Sequence, residues 1–329
     1  MAEIVMGIGL SHTPLLTLES QNWLHRASAD YENPKLNTSD GRWISYAQLL
    51  SEVGPRYASV VTVEELVRKG RICESALDKL ADSLANCSPD VVVIVGDDQA
   101  ELFGPENQPA IALYHGARMT MLDKFGDEGS PEWVREMGRG YLMDRRHSIP
   151  ASPELAGWMI GSMVDDGIDV AAVGELKDPA AGFGHAYGFV VKRLFRGREI
   201  PVVPVLLNTY FPPNVPTAAR CLKIGAAIGA AVKSFPSDIR VAIIASGGLS
   251  HFVVDEELDL RVLQALKDKD CDALRALPRG ALNSGSSEIL NWLTVAGAVE
   301  TLTPHWTEYQ PLYRTPAGTG VGAAFMEWR

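Results

Sequence analysis

The feature that most limits the possible folds of this chain is a run of five β-branched residues, VVVIV, at positions 91–95. A run without polar alternation is typical of a strand that is buried on both faces, and such strands occur mainly in sheets covered by helices. Further apolar segments lie at residues 4–10, 200–207 and 241–245, and segments with helical spacing separate them. The sequence therefore predicts one α/β domain over residues 1–329, with helices on both faces of its sheet.

Polar residues follow three of these predicted strands directly. The segments are residues 11–14 (SHTP), 96–99 (GDDQ) and 246–251 (SGGLSH). In α/β sheets ligands bind at strand ends, because backbone groups are unpaired there and side chains converge. A lone histidine, a Gly-Gly pair or an Asp-Asp pair at such a position is usually structural, so a functional interpretation depends on the three segments occurring together.

A long segment near the N-terminus lacks this regularity. Residues 19–60 have weak periodicity and contain the turn-forming pairs NP at 33–34, DG at 40–41 and GP at 54–55. We expect an irregular, variable insertion over residues 19–62. Its aromatic side chains would either form a lid over a site or simply pack against the domain; they are Trp23, Tyr31, Trp43, Tyr46 and Tyr57.

Composition excludes several classes of protein. The formal net charge of −11 argues against a nucleic-acid partner, because phosphate binding needs clustered Lys and Arg. We find neither a secretion signal nor an apolar run of the ~18 residues that a membrane span needs, and we therefore expect a cytoplasmic protein without membrane contact. None of the four cysteines forms a CxxC pair, so we expect reduced, buried thiols.

In their order along the chain, these motifs resemble the class III extradiol ring-cleavage dioxygenases, the family of the protocatechuate 4,5-dioxygenase large subunit. Within that family the chain is most similar to gallate and 3-O-methylgallate dioxygenases. The resemblance implies a central mixed sheet, a non-haem Fe(II) cofactor, O2 and a catechol-type diol as substrates in aromatic catabolism, and a homodimer. Besides the three strand-end segments, it is carried by residues 184–185 (GH), 234–236 (SFP), 284–293 (SGSSEILNWL) and 315–318 (TPAG).

The resemblance also implies roles for individual residues. His12 and Glu288 would bind the metal, and His251 would be the acid/base residue that takes a proton from the diol and returns it. His185 would line the substrate pocket and form a hydrogen bond with a ring hydroxyl. The family usually has its second histidine ligand where this chain has Gln99.

That departure leaves the third ligand open. Gln99 is neutral, as histidine is, but it offers an amide oxygen, which is a weaker donor than an imidazole nitrogen. Gln99 would bind the metal directly, or Asp97 or Asp98 would replace it, or the site would have changed its chemistry. The alternative functions are a diverged metal-dependent hydrolase or lyase and a non-catalytic relative that binds a small molecule.

A carboxylated substrate would need an anchor for its negative charge. The candidates are the hydroxyl of Thr13 and the guanidinium of Arg314, although Arg314 would serve equally well in a surface salt bridge. In the family, a serine in the tail can contact the substrate carboxylate. Gly318 stands near that position here, so the sequence does not favour protocatechuate itself.

Overall fold

The elements of the fold are taken from a computed structural model, which describes residues 1–176, 178 and 180–329. The strands are β1 (Glu3–Leu10), β2 (Leu36–Asn37), β3 (Trp43–Ile44), β4 (Val91–Asp97), β5 (Ile111–Tyr114), β6 (Arg118–Thr120), β7 (Ser148–Pro150), β8 (Ala171–Val173), β9 (Val202–Leu207), β10 (Arg240–Ser246), β11 (His251–Val253), β12 (Pro304–Tyr313) and β13 (Thr319–Trp328). The α-helices are α1 (Ala27–Tyr31), α2 (Tyr46–Val53), α3 (Val63–Cys87), α4 (Glu132–Gly140), α5 (Pro153–Asp165), α6 (His185–Val190), α7 (Ala218–Ser234), α8 (Glu256–Asp268), α9 (Cys271–Arg275) and α10 (Ile289–Ala298).

The central sheet is mixed, as the family resemblance implies. Strands β1, β10, β4 and β9 lie side by side and run parallel. Strand β5 is antiparallel to β9 and pairs with β8, while β13 is antiparallel to β1 and also pairs with β11 and β12. The run of β-branched residues thus forms β4, an inner strand between β10 and β9.

Both faces of the sheet are covered by helices, because successive residues of an inner strand point to opposite sides. Val91, Val93 and Val95 belong to a core that includes apolar residues of α5, α7 and α10. Val92 and Ile94 belong to a second core, formed with α3 and α6. The α/β class with helices on both faces is therefore confirmed.

The predicted irregular insertion is more regular than its sequence pattern indicates. It contains α1, α2, the β2–β3 pair and the 3₁₀ turns Ser20–Arg26 and Ala58–Val60. Its order comes from tertiary packing: Trp23 is buried in the second core, and Leu36, Ile44 and Leu49 form a small cluster with Ala317 of the tail. These contacts link residues far apart in sequence, so local periodicity does not indicate them.

Two further elements differ from expectation. Helical spacing over residues 256–277 predicts one helix, but the structure has two, α8 and α9, because Lys269 adopts a left-handed conformation with φ of 56° and Asp270 caps the next helix. The sequence pattern does not predict strand β12, since Pro311 and polar residues interrupt its alternation.

Two observations concern membrane-spanning helices and the state of the cysteines. None of the helices in the described ranges combines the length and the hydropathy of a membrane-spanning segment. All four cysteines are free thiols; Cys73 and Cys221 are buried, as expected, whereas Cys271 is exposed.

Candidate metal centre

Three side chains converge at the carboxyl ends of the parallel strands. His12 follows β1, Asp97 is the last residue of β4, and Glu288 ends the 3₁₀ turn Ser284–Glu288 that leads into α10. One ligand atom of each residue lies within 4.8 Å of the others, and all three residues are buried. The Nε2 atom of His12 lies 3.4 Å from Oε2 of Glu288. The sequence-predicted ligands His12 and Glu288 thus meet, and Asp97 completes the cluster.

Two atoms of this cluster lack a partner. Nε2 of His12 and Oδ1 of Asp97 are inaccessible to solvent and form no hydrogen bond with the described residues. Buried polar atoms are nearly always paired, because an unpaired one loses its hydration without compensation. One imidazole nitrogen and two carboxylates are a donor set that suits a first-row divalent cation such as Fe(II) or Mn(II). The residues present therefore fit the metal that the family resemblance implies.

Hydrogen bonds to its neighbours fix the orientation of His12. The hydroxyl of Ser246, at the end of β10, donates its one proton to the carbonyl of Ala186 at 2.6 Å. The contact of 2.9 Å between Nδ1 of His12 and Oγ of Ser246 must therefore be donated by Nδ1–H. The lone pair of the neutral imidazole then lies on Nε2, facing Glu288. The hydroxyl of Tyr141 donates to the carbonyl of His12 at 2.6 Å and holds the backbone.

Gln99 lies beside the cluster, and its amide nitrogen donates to Oδ2 of Asp97 at 2.9 Å. The same nitrogen is 3.4 Å from Nε2 of His185. Asp98 has a different role, because its carboxylate accepts hydrogen bonds from the backbone of Leu102 and Phe103 at 2.9 and 3.1 Å. Burial, together with the nearby Glu101, raises the pKa of Asp98 to about 6.

His185 begins α6 and packs edge-on against His12, with ring centroids 4.6 Å apart. Its Nδ1 lies 3.2 Å from Oε1 of Glu101. Burial disfavours the charged imidazolium, but the hydrogen bond and charge of Glu101, with Asp97 and Glu288 nearby, outweigh it and raise the pKa of His185 to about 9. A protonated His185 has two N–H groups, so Nε2–H is available to donate within the site.

His251 lies on the other side of Glu288, with Nε2 3.5 Å from Oε2 of that carboxylate. Its Nδ1 donates to the carbonyl of Leu249 at 3.0 Å, which leaves Nε2 of the neutral ring able to accept a proton. The ring fits between two glycines: a Cβ at Gly248 would lie 2.4 Å from Cε1 of the ring, and one at Gly285 would lie 2.6 Å from its Cγ. Glycine is therefore required on both sides of the imidazole.

The two carboxylates of the cluster differ in electrostatic environment. Burial alone would raise the pKa of Glu288, but the positive charges that His251 and His12 carry when protonated, with a hydrogen bond from the backbone of Gly248, lower it to about 2. Burial and the charge of Glu288 raise the pKa of Asp97. The cluster therefore carries negative charge that a cation would neutralise.

The two predicted substrate anchors lie in different places. Thr13 is buried next to His12. Arg314 forms a buried ion pair, with Nε 2.7 Å and Nη2 2.9 Å from the carboxylate oxygens of Asp30 in the insertion. This pair is buried, not on the surface, and Asp30 already supplies the counter-charge of Arg314. Substrate binding by either residue stays a prediction.

Sequence reasoning missed two residues that hold the site together, Tyr141 and Glu101. Tyr141 follows α4, in a stretch whose charged and Gly-rich composition indicates only surface structure. Glu101 stands two residues beyond the 96–99 segment, so its proximity to that strand end was a usable signal. Its carboxylate also accepts a hydrogen bond from the backbone of Gln99.

Comparison with known proteins places this geometry in context. The family model described as "Catalytic LigB subunit of aromatic ring-opening dioxygenase" matches residues 55–326. A gallate dioxygenase from Pseudomonas putida is 32% identical over 140 residues, 40% of this chain and 40% of that protein. A 2,3-dihydroxyphenylpropionate/2,3-dihydroxicinnamic acid 1,2-dioxygenase from Photorhabdus laumondii is 29% identical over 173 residues, 53% of this chain and 46% of that protein.

These matches cover only part of the relatives and only part of this chain. The chain spans less than half the length of either relative. The family match begins at residue 55, so it includes Asp97, His185, His251 and Glu288 but not His12. His12 is assigned to the site because the fold places it beside Asp97 and Glu288.

Proposed function

The chain belongs to the LigB family of catalytic subunits of aromatic ring-opening dioxygenases, and on this premise we propose that it is an Fe(II)-dependent extradiol dioxygenase that opens a catechol-type ring with O2. The two relatives are named for gallate and 2,3-dihydroxyphenylpropionate. Both compounds carry adjacent ring hydroxyls and a carboxylate. We therefore propose a carboxylated aromatic diol as the substrate.

The observation that carries the proposal is the buried cluster of His12, Asp97 and Glu288, in which one imidazole nitrogen and one carboxylate oxygen lack partners. Bound there, Fe(II) would hold the diol and O2 next to each other and let electron density pass between them. Asp97 is the better candidate than Gln99 for the third ligand, because Gln99 donates a hydrogen bond to Asp97 and so orients it.

The surrounding residues would handle the protons. Nε2 of His251, unprotonated in the neutral ring, takes the proton of a ring hydroxyl and returns it later in the reaction. Its position 3.5 Å from Glu288 keeps it at the edge of the metal cluster, where such a hydroxyl would lie. His185, held in its charged form by Glu101, donates Nε2–H to a substrate oxygen and stabilises negative charge there.

The experiment is anaerobic Fe(II) reconstitution, followed by O2 consumption with gallate, 3-O-methylgallate, protocatechuate and catechol. We expect about one O2 per ring opened with at least one of these diols. Glu288→Ala should lose both metal and turnover, whereas His251→Ala should lose turnover and keep the metal. His305→Ala, at an exposed histidine of β12, is the matched control and should retain both.

The ligand assignment is tested separately by metal content. Asp97→Asn should lower Fe(II) affinity strongly, and Gln99→Ala should lower it less, since it removes only an orienting hydrogen bond. The reverse order would identify Gln99 as the ligand. The same reconstitution with Mn(II) distinguishes the two cations.

Fully Fe(II)-loaded protein that consumes no O2 with any of the four diols would overturn the proposed function. A hydrolase or lyase would instead transform a substrate without O2, and a binding protein would hold no metal tightly. The predicted homodimer is tested independently by the mass of the purified protein in solution.

A further inference from the structure

Arg26 ends the 3₁₀ turn Ser20–Arg26 in the insertion. Its positively charged side chain forms no hydrogen bond or ion pair with the described residues. Its Nε is inaccessible to solvent and has no hydrogen-bond partner among those residues. Its guanidinium lies 5.9 Å from the ring centroid of Trp133, and His25 stacks on the same ring. The side chain is half-buried, and a guanidinium that loses part of its hydration without an anion is destabilised, so a negatively charged ligand here would be favourable.

The nearby acid does not supply it. Asp30 lies one helical turn after Arg26, but its two oxygens accept hydrogen bonds from Arg314 and, at 2.8 Å, from the hydroxyl of Thr319. Burial is the largest cause that lowers the pKa of Arg26, followed by repulsion from Arg314, while Tyr141 and Asp30 act in the opposite direction. Asp30 thus lies near two guanidinium groups and forms hydrogen bonds with only one of them, that of Arg314.

The neighbours of Arg26 also border the metal centre. Tyr141, one of its electrostatic neighbours, donates to the carbonyl of His12 and lies 5.4 Å from the ring of His185. On the other side, Thr319 begins β13, and Val321 two residues further along the same strand face pairs with His251. Through Tyr141 and Asp30, Arg26 is therefore linked to two elements that hold residues of the site.

We propose that Arg26 binds the carboxylate of the substrate, so that the insertion selects aromatic diols that carry an acid group. This inference rests on the proposed function and deepens it. The ion pair of Arg314 with Asp30 then serves a different purpose: it fixes α1 against the turn between β12 and β13 and so positions Arg26. Arg314 is occupied by this pair, whereas Nε of Arg26 has no partner among the described residues.

The test compares gallate with pyrogallol, which has the same three ring hydroxyls and no carboxylate. For Arg26→Gln we expect kcat/KM for gallate to fall ~10–100-fold, the range for a lost charge-assisted hydrogen bond. For pyrogallol it should stay within about twofold, since a neutral ring makes no ion pair. Arg26→Lys keeps the charge and should recover part of the loss. Arg275→Gln, at an exposed arginine of α9, is the matched control.

Calorimetric binding of both compounds to the Fe(II)-loaded protein without O2 provides a readout that needs no turnover. Wild-type protein should bind gallate more tightly than pyrogallol, and Arg26→Gln should remove that difference. Equal losses of binding affinity for both compounds, or no loss of affinity for gallate, would overturn the assignment of Arg26. If wild-type protein discriminates between the two ligands but opens neither ring, the proposed reaction fails while the carboxylate site stands.

Discussion

Replacement of Ser246 by alanine tests how the fold prepares His12 for a metal. The hydroxyl of Ser246 accepts from Nδ1–H of His12 and donates to the carbonyl of Ala186, so Ser246→Ala removes two buried hydrogen bonds. Partners that orient a metal-binding histidine typically contribute 10–100-fold in metal affinity. We therefore expect the Kd for Fe(II) to rise ~10–100-fold, which is about 1.4–2.7 kcal/mol.

The assay is anaerobic titration with Fe(II) and a competing chelator, and the thermal unfolding of the metal-free protein is measured in parallel. Ser83→Ala is the matched control, since Ser83 is a buried serine that donates to Glu327 at 3.0 Å. Both variants should lose stability, on the order of 1–3 kcal/mol, but only Ser246→Ala should lose metal affinity. An unchanged Kd in Ser246→Ala would refute the argument that this hydroxyl sets the tautomer of His12.

Two further predictions concern stability. Burial raises the pKa of Asp259 to about 7, although the hydrogen bonds that its carboxylate accepts from Ser250 and Tyr309 lower it. The folded state therefore binds this proton more tightly than the unfolded state does. The resulting gain in the free energy of unfolding is complete below the unfolded pKa of ~3.8, and it is lost as the pH rises to 7. Asp259→Asn should flatten the pH dependence of the free energy of unfolding in urea between pH 4 and 7; equal slopes for the two proteins would contradict this. Arg314→Met should cost ~3–5 kcal/mol in the same measurement, because Asp30 would be buried without its partner, and the cost should lie at the lower end if Arg26 can replace it. Adding Asp30→Asn should recover part of the loss, and no recovery would show that the pair is not the cause.

The third metal ligand illustrates which features of the site the sequence could predict. Asp97, Asp98 and Gln99 are consecutive and all able to bind a metal, so composition alone leaves them equivalent. Strand β4 ends at Asp97, so strand periodicity says nothing about where the side chains of Asp98 and Gln99 lie. In the structure the amide of Gln99 donates to Asp97 at the cluster, while Asp98 caps the following backbone. Only the structure therefore distinguishes the three residues.

By itself, the sequence determined the α/β class and the strand ends at which His12, Asp97 and His251 lie, because burial of a strand on both faces leaves a local pattern of apolar residues. The order of the strands, the approach of Glu288 to His12 and the ion pair of Arg314 with Asp30 were decided by tertiary structure. Those contacts join residues more than 200 positions apart. Their formation depends on how whole layers pack, and no spacing along the chain encodes it.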